Sequence, residues 1–323
     1  MSSVSRLTSA LVCASHSPLM YCYGKEPAEH AAVNAVFAAR AAAVREFDPE
    51  LVFIFGPDHY STFFGRLTPP YCVGAACESL GDIGGHPGRF NVQRDIAIAC
   101  VAATREAGID VAISYDLKVD HGVSQTLHRV AGAVDAYPTI PVVFDIMTPP
   151  IPPFRRARML GEAIGNFAKG LGKRVLFIGS GGLSHNPVMI FPPYGTGEAD
   201  IFAYQESGPG GGAMSRQAWL DHMEAVHLAG ARELSSGRIT AADCMLNESI
   251  DGKFLEMVTS GRLDLVDSWK PDDLIAQAGV GSVEIQTWLA ACSASKAAGG
   301  ALPVRDFYAP IVDYGIATGV IHA

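Results

Sequence analysis

VLFIGSGGLSH, residues 175–185, runs from an apolar β-rich segment through three glycines to a histidine. A glycine-rich turn after a strand either cradles a phosphate with its backbone N–H groups or bends sharply enough to bring a side chain to the sheet edge. A dinucleotide fingerprint starting at Gly179 requires glycine at 184, where the chain has Ser184, and it belongs in a first strand-to-helix turn rather than this far along. A Walker-type loop needs Gly-Lys-Ser/Thr, which is also missing. Gly179, Gly181 and Gly182 are therefore read as giving a tight turn and close backbone approach, with His185 as the residue the turn presents.

Runs of the same apolar character recur at 7–13 (LTSALVC), 51–55 (LVFIF), 111–115 (VAISY), 141–146 (PVVFDI) and 174–179 (RVLFIG). Each is short and almost continuously apolar, as a strand buried on both faces must be. Alanine-rich amphipathic stretches at 29–47, 94–107, 124–135 and 155–170 lie between them and read as helices. The alternation predicts an α/β fold, with a central, largely buried β-sheet flanked by helices. From about residue 190 to 215 the chain is rich in Gly and Pro without a sustained period, which predicts an irregular cap segment. Residues 216–237 and 282–299 return to helical character, giving a helical C-terminal part. No internal repeat or linker divides the chain, so residues 1–323 are read as one catalytic domain.

The composition excludes several classes. With 49% hydrophobic and 18% charged residues, the chain can bury a large core. A net charge of −9 argues against a general affinity for nucleic acid or anionic membranes and leaves a small molecule as the expected partner. No stretch reaches the roughly 18 to 20 apolar residues a membrane helix needs. Seven scattered cysteines with no CxxC pair read as reduced thiols of a cytoplasmic protein. A homo-oligomer is the expected assembly.

Set against the strands, the histidines form a pattern. His16 (CASHSP) follows the first, His59 (FGPDHY) the second, His121 (YDLKVDHG) the third, and His185 the last. If these strands are parallel, all four imidazoles lie on one edge of the sheet, where α/β proteins bind ligands. His30, His86, His128, His222, His227 and His322 fall in helical or irregular segments and lack that context. A lone loop histidine is usually solvated or structural, but four in equivalent places suit metal binding together with proton transfer near pH 7. The donors exclude a thiolate site and a calcium loop, and leave zinc for hydrolysis or ferrous iron for oxygen chemistry. Asp58 and Asp120 adjoin histidines and are read as supporting or capping groups rather than ligands. Tyr60, Phe63, Phe64 and Tyr71 are candidates for an aromatic pocket wall, and Arg155, Arg156 and Arg158 for a carboxylate contact; plain packing and surface exposure are the competing readings.

The segments SHSP, PDHY, VDHG and GSGGLSH, in this order, resemble those of the type III, LigB-like, extradiol ring-cleavage dioxygenases. The resemblance continues through PDHYSTFF, TPPYCVG, RMLGEAIG, KRVLFIGSGGLSH and VEIQTWLAA, and has no counterpart at about 190–250. It implies a non-haem Fe(II) site held by His16, His59 and Glu284, with His121 and His185 as the acid–base pair. It further implies that the substrates are O2 and a catechol such as 3-(2,3-dihydroxyphenyl)propanoate. Read without the family, Glu284 sits in the first turn of a helix capped by Ser282, where a carboxylate is favourable in any case. The alternatives are a zinc-dependent hydrolase on the same scaffold and a non-catalytic metal-binding homologue.

Overall fold

The computed structural model describes residues 8–187, 193–210 and 214–323. The strands are β1 (Ser9–Ala14), β2 (Leu51–Pro57), β3 (Tyr71–Gly74), β4 (Cys77–Ser79), β5 (Gly88–Arg89), β6 (Ala112–Ser114), β7 (Leu117–Val119), β8 (Thr139–Phe144), β9 (Val175–Ser180), β10 (Val304–Ile311) and β11 (Ile316–His322). The helices are α1 (Leu19–Cys22), α2 (His30–Phe47), α3 (Arg94–Glu106), α4 (His121–Ala131), α5 (Phe154–Gly170), α6 (Ala199–Ser207), α7 (Arg216–Ser235), α8 (Glu248–Thr259), α9 (Pro271–Ala278) and α10 (Ile285–Ala298).

Eight strands form the main sheet in the order β10-β11-β1-β9-β2-β8-β3-β6, and β5-β4-β7 form a small second one. The four in the middle, β1, β9, β2 and β8, are mutually parallel. Their continuous apolar runs follow from the two covered faces. Leu11, Cys13, Phe53, Phe55 and Phe177 point into a core shared with α3, α5 and α10, whereas Val12, Val52, Ile54, Leu176 and Ile178 point into one shared with α2 and α4. On the first face α5 and α10 pack backbone to backbone. A Cβ at Gly161 or Gly165 would run into the carbonyl of Ala290 or Ala294, so only glycine permits this approach.

Three expectations change. The apolar run at 111–115 forms only β6, an edge strand with half-exposed residues that is parallel to β3, which itself runs antiparallel to β8. It therefore points against the central strands. The chain then passes through β7 in the small sheet before reaching His121, so that histidine arrives by a different route from the other three. The C-terminal part is helical up to α10 but ends in the hairpin β10–β11, which extends the main sheet by pairing β11 antiparallel to β1. Within the expected irregular cap, residues 188–192 and 211–213 lie outside the described residues; the stretch between contains α6, whose Tyr204 stacks on Trp219 of α7 with centroids 4.4 Å apart.

Candidate metal and proton-transfer site

The carboxyl ends of β1, β2 and β9 supply His16, His59 and His185 to one edge of the sheet, as the alternation of strands and histidines predicts. His16 is held on both sides. Ser15 bonds across to Ala317 and Gly319 on β11, and Ser17 exchanges two hydrogen bonds of 2.7 and 2.9 Å with the Gln125 side chain. His121 is the first residue of α4, whose start is capped by Asp120 accepting from the Gly122 N–H at 2.8 Å. Glu284 closes a 3-10 turn (Val280–Glu284) immediately before α10. Ser282 does not cap that helix, because it lies inside the turn and its hydroxyl donates to Gly279 O.

The carboxylate of Glu284 is the centre of the cluster. Its oxygens lie 3.6 Å from His16 Nε2, 3.4 Å from His59 Nε2 and 3.5 Å from His185 Nε2, and one accepts the Gly182 N–H at 2.5 Å. The glycine turn of 175–185 thus does grip an anion with its backbone, but the anion is the chain's own carboxylate. Room for the His185 ring comes from Gly182 and Gly281, where any Cβ would overlap the imidazole. Suitable nitrogens of His16, His59 and His121 also lie within 4.8 Å of one another, and His121 stacks flat on His59 with centroids 4.6 Å apart.

Every imidazole here is oriented through Nδ1. His16 donates to Ser180 Oγ, which in turn donates to Thr126. His59 donates to Asp120 Oδ1 at 3.0 Å, His121 to Asp82 at 2.5 Å and His185 to the Leu183 carbonyl at 2.8 Å. In the neutral ring this makes Nε2 the unprotonated nitrogen, the one that can ligate a metal or accept a proton. The donor types fit an ion: nitrogens of His16, His59 and His121 lie close enough to share one, and the buried Glu284 carboxylate stands 3.6 and 3.4 Å from the first two. Asp120 supports His59 and caps α4, and Asp58 accepts from Thr62 and Phe63, so both serve as the sequence suggests.

Burial and charge pull these groups apart. Burial pushes His16 down to about 3, with the neighbouring His121 and His59 adding to the fall against the Glu284 carboxylate. Burial would also lower His59, but Asp120 and Glu284 outweigh it and hold it well above the usual range. Glu284 stays well below the ordinary carboxylate range because His16 and His185 overcome its desolvation.

The cluster opens into a cavity of about 810 Å³, mouth included. The sequence missed two of the groups around it. His227 lines the cavity from α7, anchored by Nδ1 to the Met223 carbonyl at 2.7 Å and edge-on to His121. Asp82, which orients His121, sits in an irregular turn with no periodic signal. The aromatic candidates do not form the wall. Tyr71 packs in the core against Phe144, Phe63 lies under the sheet, and Tyr60 and Phe64 join the Tyr204–Trp219 cluster. Nor do the arginines reach it, and Arg158 is committed to Asp267 and Glu162.

His227 gives a pH signature. Burial, then the nearby His121, lowers it from 6.5 to about 3, so below pH 6.5 the unfolded chain binds a proton that the folded one refuses. Its contribution is present above pH 6.5 and is lost as the pH falls towards 3. Asp58, raised to about 8, and Asp145, to about 7, act in the opposite sense, so the comparison must be with a variant. His227→Gln is expected to gain stability relative to the parent by up to about 1.4 kcal/mol per pH unit between pH 6.5 and 4. Thermal melts of the metal-free proteins at fixed ionic strength check this, and a constant gap between the two would contradict it.

A histidine-rich pocket around a buried carboxylate, at the carboxyl edge of a parallel sheet, is the setting in which the comparisons with known proteins apply. The chain belongs to the family described as the catalytic LigB subunit of aromatic ring-opening dioxygenase, which matches residues 10–310. Among curated proteins it is 40% identical over 318 residues to a 2,3-dihydroxyphenylpropionate/2,3-dihydroxicinnamic acid 1,2-dioxygenase of Rhodococcus sp, covering 96% of this chain and 98% of that one. It is 41% identical over 315 residues to one of the same name from Mycolicibacterium gilvum, covering 96% and 98%. The crystal structure of an uncharacterized protein from Escherichia coli K12 superposes with TM-score 0.52 over 97% of this chain and 98% of its own, at 14% identity, a likeness of fold alone. Among the described residues no helix is long and apolar enough to cross a membrane.

Proposed function

We propose that the chain is a cytoplasmic, homo-oligomeric non-haem Fe(II) extradiol dioxygenase, one catalytic domain over residues 1–323. It opens the ring of a 3-substituted catechol, 3-(2,3-dihydroxyphenyl)propanoate among them. The observation that carries this reading is the approach of His16 Nε2 and His59 Nε2 to the Glu284 carboxylate at 3.6 and 3.4 Å, with two further imidazoles alongside. His16, His59 and Glu284 are the proposed ligands. Ferrous iron bound there would hold the diol and O2 side by side and pass electrons between them.

The chain's own groups manage the protons. A catechol hydroxyl, with a reference pKa near 10, needs a base as it binds, and an imidazole whose Nε2 is unprotonated serves. His185 is assigned that task. His121, oriented by its Nδ1–H on Asp82, is assigned the return of a proton released by the catechol to the departing oxygen, through Nε2.

Metal-free protein reconstituted anaerobically with Fe(II) or Zn(II) tests the reading. Expected are stoichiometric iron binding and, on adding 2,3-dihydroxyphenylpropionate and air, oxygen uptake with a visible-absorbing ring-fission product from the iron form only. Turnover with zinc and no oxygen consumption would favour the hydrolase.

A further inference from the structure

The cavity is chemically two-ended. Along α7, His227, Gly230 and Leu234 follow one another at helical spacing on the lining face, so Leu234 lies about 10 Å along the axis from His227. His227 stands beside His121, at the end where the diol is proposed to bind. Glycine at 230 keeps the middle of that face low. Beyond it Leu234 joins Leu19 and Cys244 in one packed apolar cluster, with Ile239 against them.

Among the described residues, that distal end offers an anion no cationic side chain. The described residues that line the cavity include no lysine or arginine. Its one carboxylate there, Asp243, is held ionised by hydrogen bonds of 2.7 and 2.9 Å from the Thr240 hydroxyl and N–H. A substrate carboxylate would lose water there and meet a like charge, whereas a methyl or phenyl group would gain from burial.

We propose that this wall of Leu19, Leu234, Ile239 and Cys244, with Asp243 at its rim, selects catechols whose 3-substituent is an uncharged hydrocarbon over those ending in a carboxylate. This rests on the ring-cleavage reading and adds the specificity of the same site.

The test compares 3-propylcatechol with 2,3-dihydroxyphenylpropionate, near-isosteres differing at the end of the side chain, on the Fe(II)-loaded enzyme. The readouts are kcat/KM in air and anaerobic binding by calorimetry. Both are expected to favour the propyl compound about tenfold. Leu234→Arg is expected to invert the preference. Asp243→Asn, a surface change that keeps the fold, is expected to narrow it severalfold. If both diols are cleaved but the propionate is equal or better, the specificity proposal falls and ring cleavage stands; if neither is bound nor cleaved, both fall. A preference that neither variant moves would also overturn the assignment of this wall.

Discussion

Glu284→Gln protein is expected to fold and to lose ferrous iron, with affinity at least about a hundredfold weaker than the parent's. Glutamine keeps the size, and its carbonyl oxygen can still accept the Gly182 N–H, so the turn before α10 has no reason to collapse. What disappears is the negative charge that three imidazoles approach to within 3.4 to 3.6 Å. A dication confined with neutral nitrogens in a buried pocket loses most of its compensation. His16→Ala and His59→Ala should match this loss, each removing one proposed ligand. Iron analysis after gel filtration, alongside the melting temperature, separates lost metal from lost structure. Full iron retention in the Glu284→Gln protein would remove the carboxylate from the proposed ligand set.

His121→Ala and His185→Ala are expected to behave in the opposite way, retaining iron while turnover falls by about 10²- to 10⁴-fold. Each lies close enough to the cluster to be mistaken for a ligand: His121 stacks on His59, and His185 Nε2 is nearly as near Glu284 as His59 is, at 3.5 against 3.4 Å. Their assignment as proton carriers therefore needs the metal content and kcat of the same preparations. Equal loss of iron in all four histidine variants would abolish the proposed division of labour. A fall in kcat with iron and substrate binding intact is the result it requires.

The strand-end histidines were legible because a buried parallel strand announces itself locally: its residues are apolar whichever face they point to, and the residue just past it reaches a known edge. His16, His59 and His185 follow that logic. His121 was found by it as well, but through a strand that runs the other way, and its place is fixed instead by β7 and the cap of α4. Glu284 was visible only through the family motif, since a carboxylate at a helix start has a sufficient local explanation. His227 is not singled out by the sequence, because apolar residues are spread around the whole of α7 and do not disclose which stripe faces inward; that is decided by what packs against it. The hairpin β10–β11 was hidden for a related reason, as half-exposed residues along β10 blur the pattern of a strand.

The seam between α5 and α10 carries a liability remote from the chemistry. Because Gly161 and Gly165 let the two backbones touch, α10 has no slack on that side, and Glu284 is joined directly to its first turn. One methyl group added at Gly161 would act as a wedge, tilting the whole rod and swinging the carboxylate away from its imidazoles. Damage there would look like a chemical lesion while touching nothing that reacts.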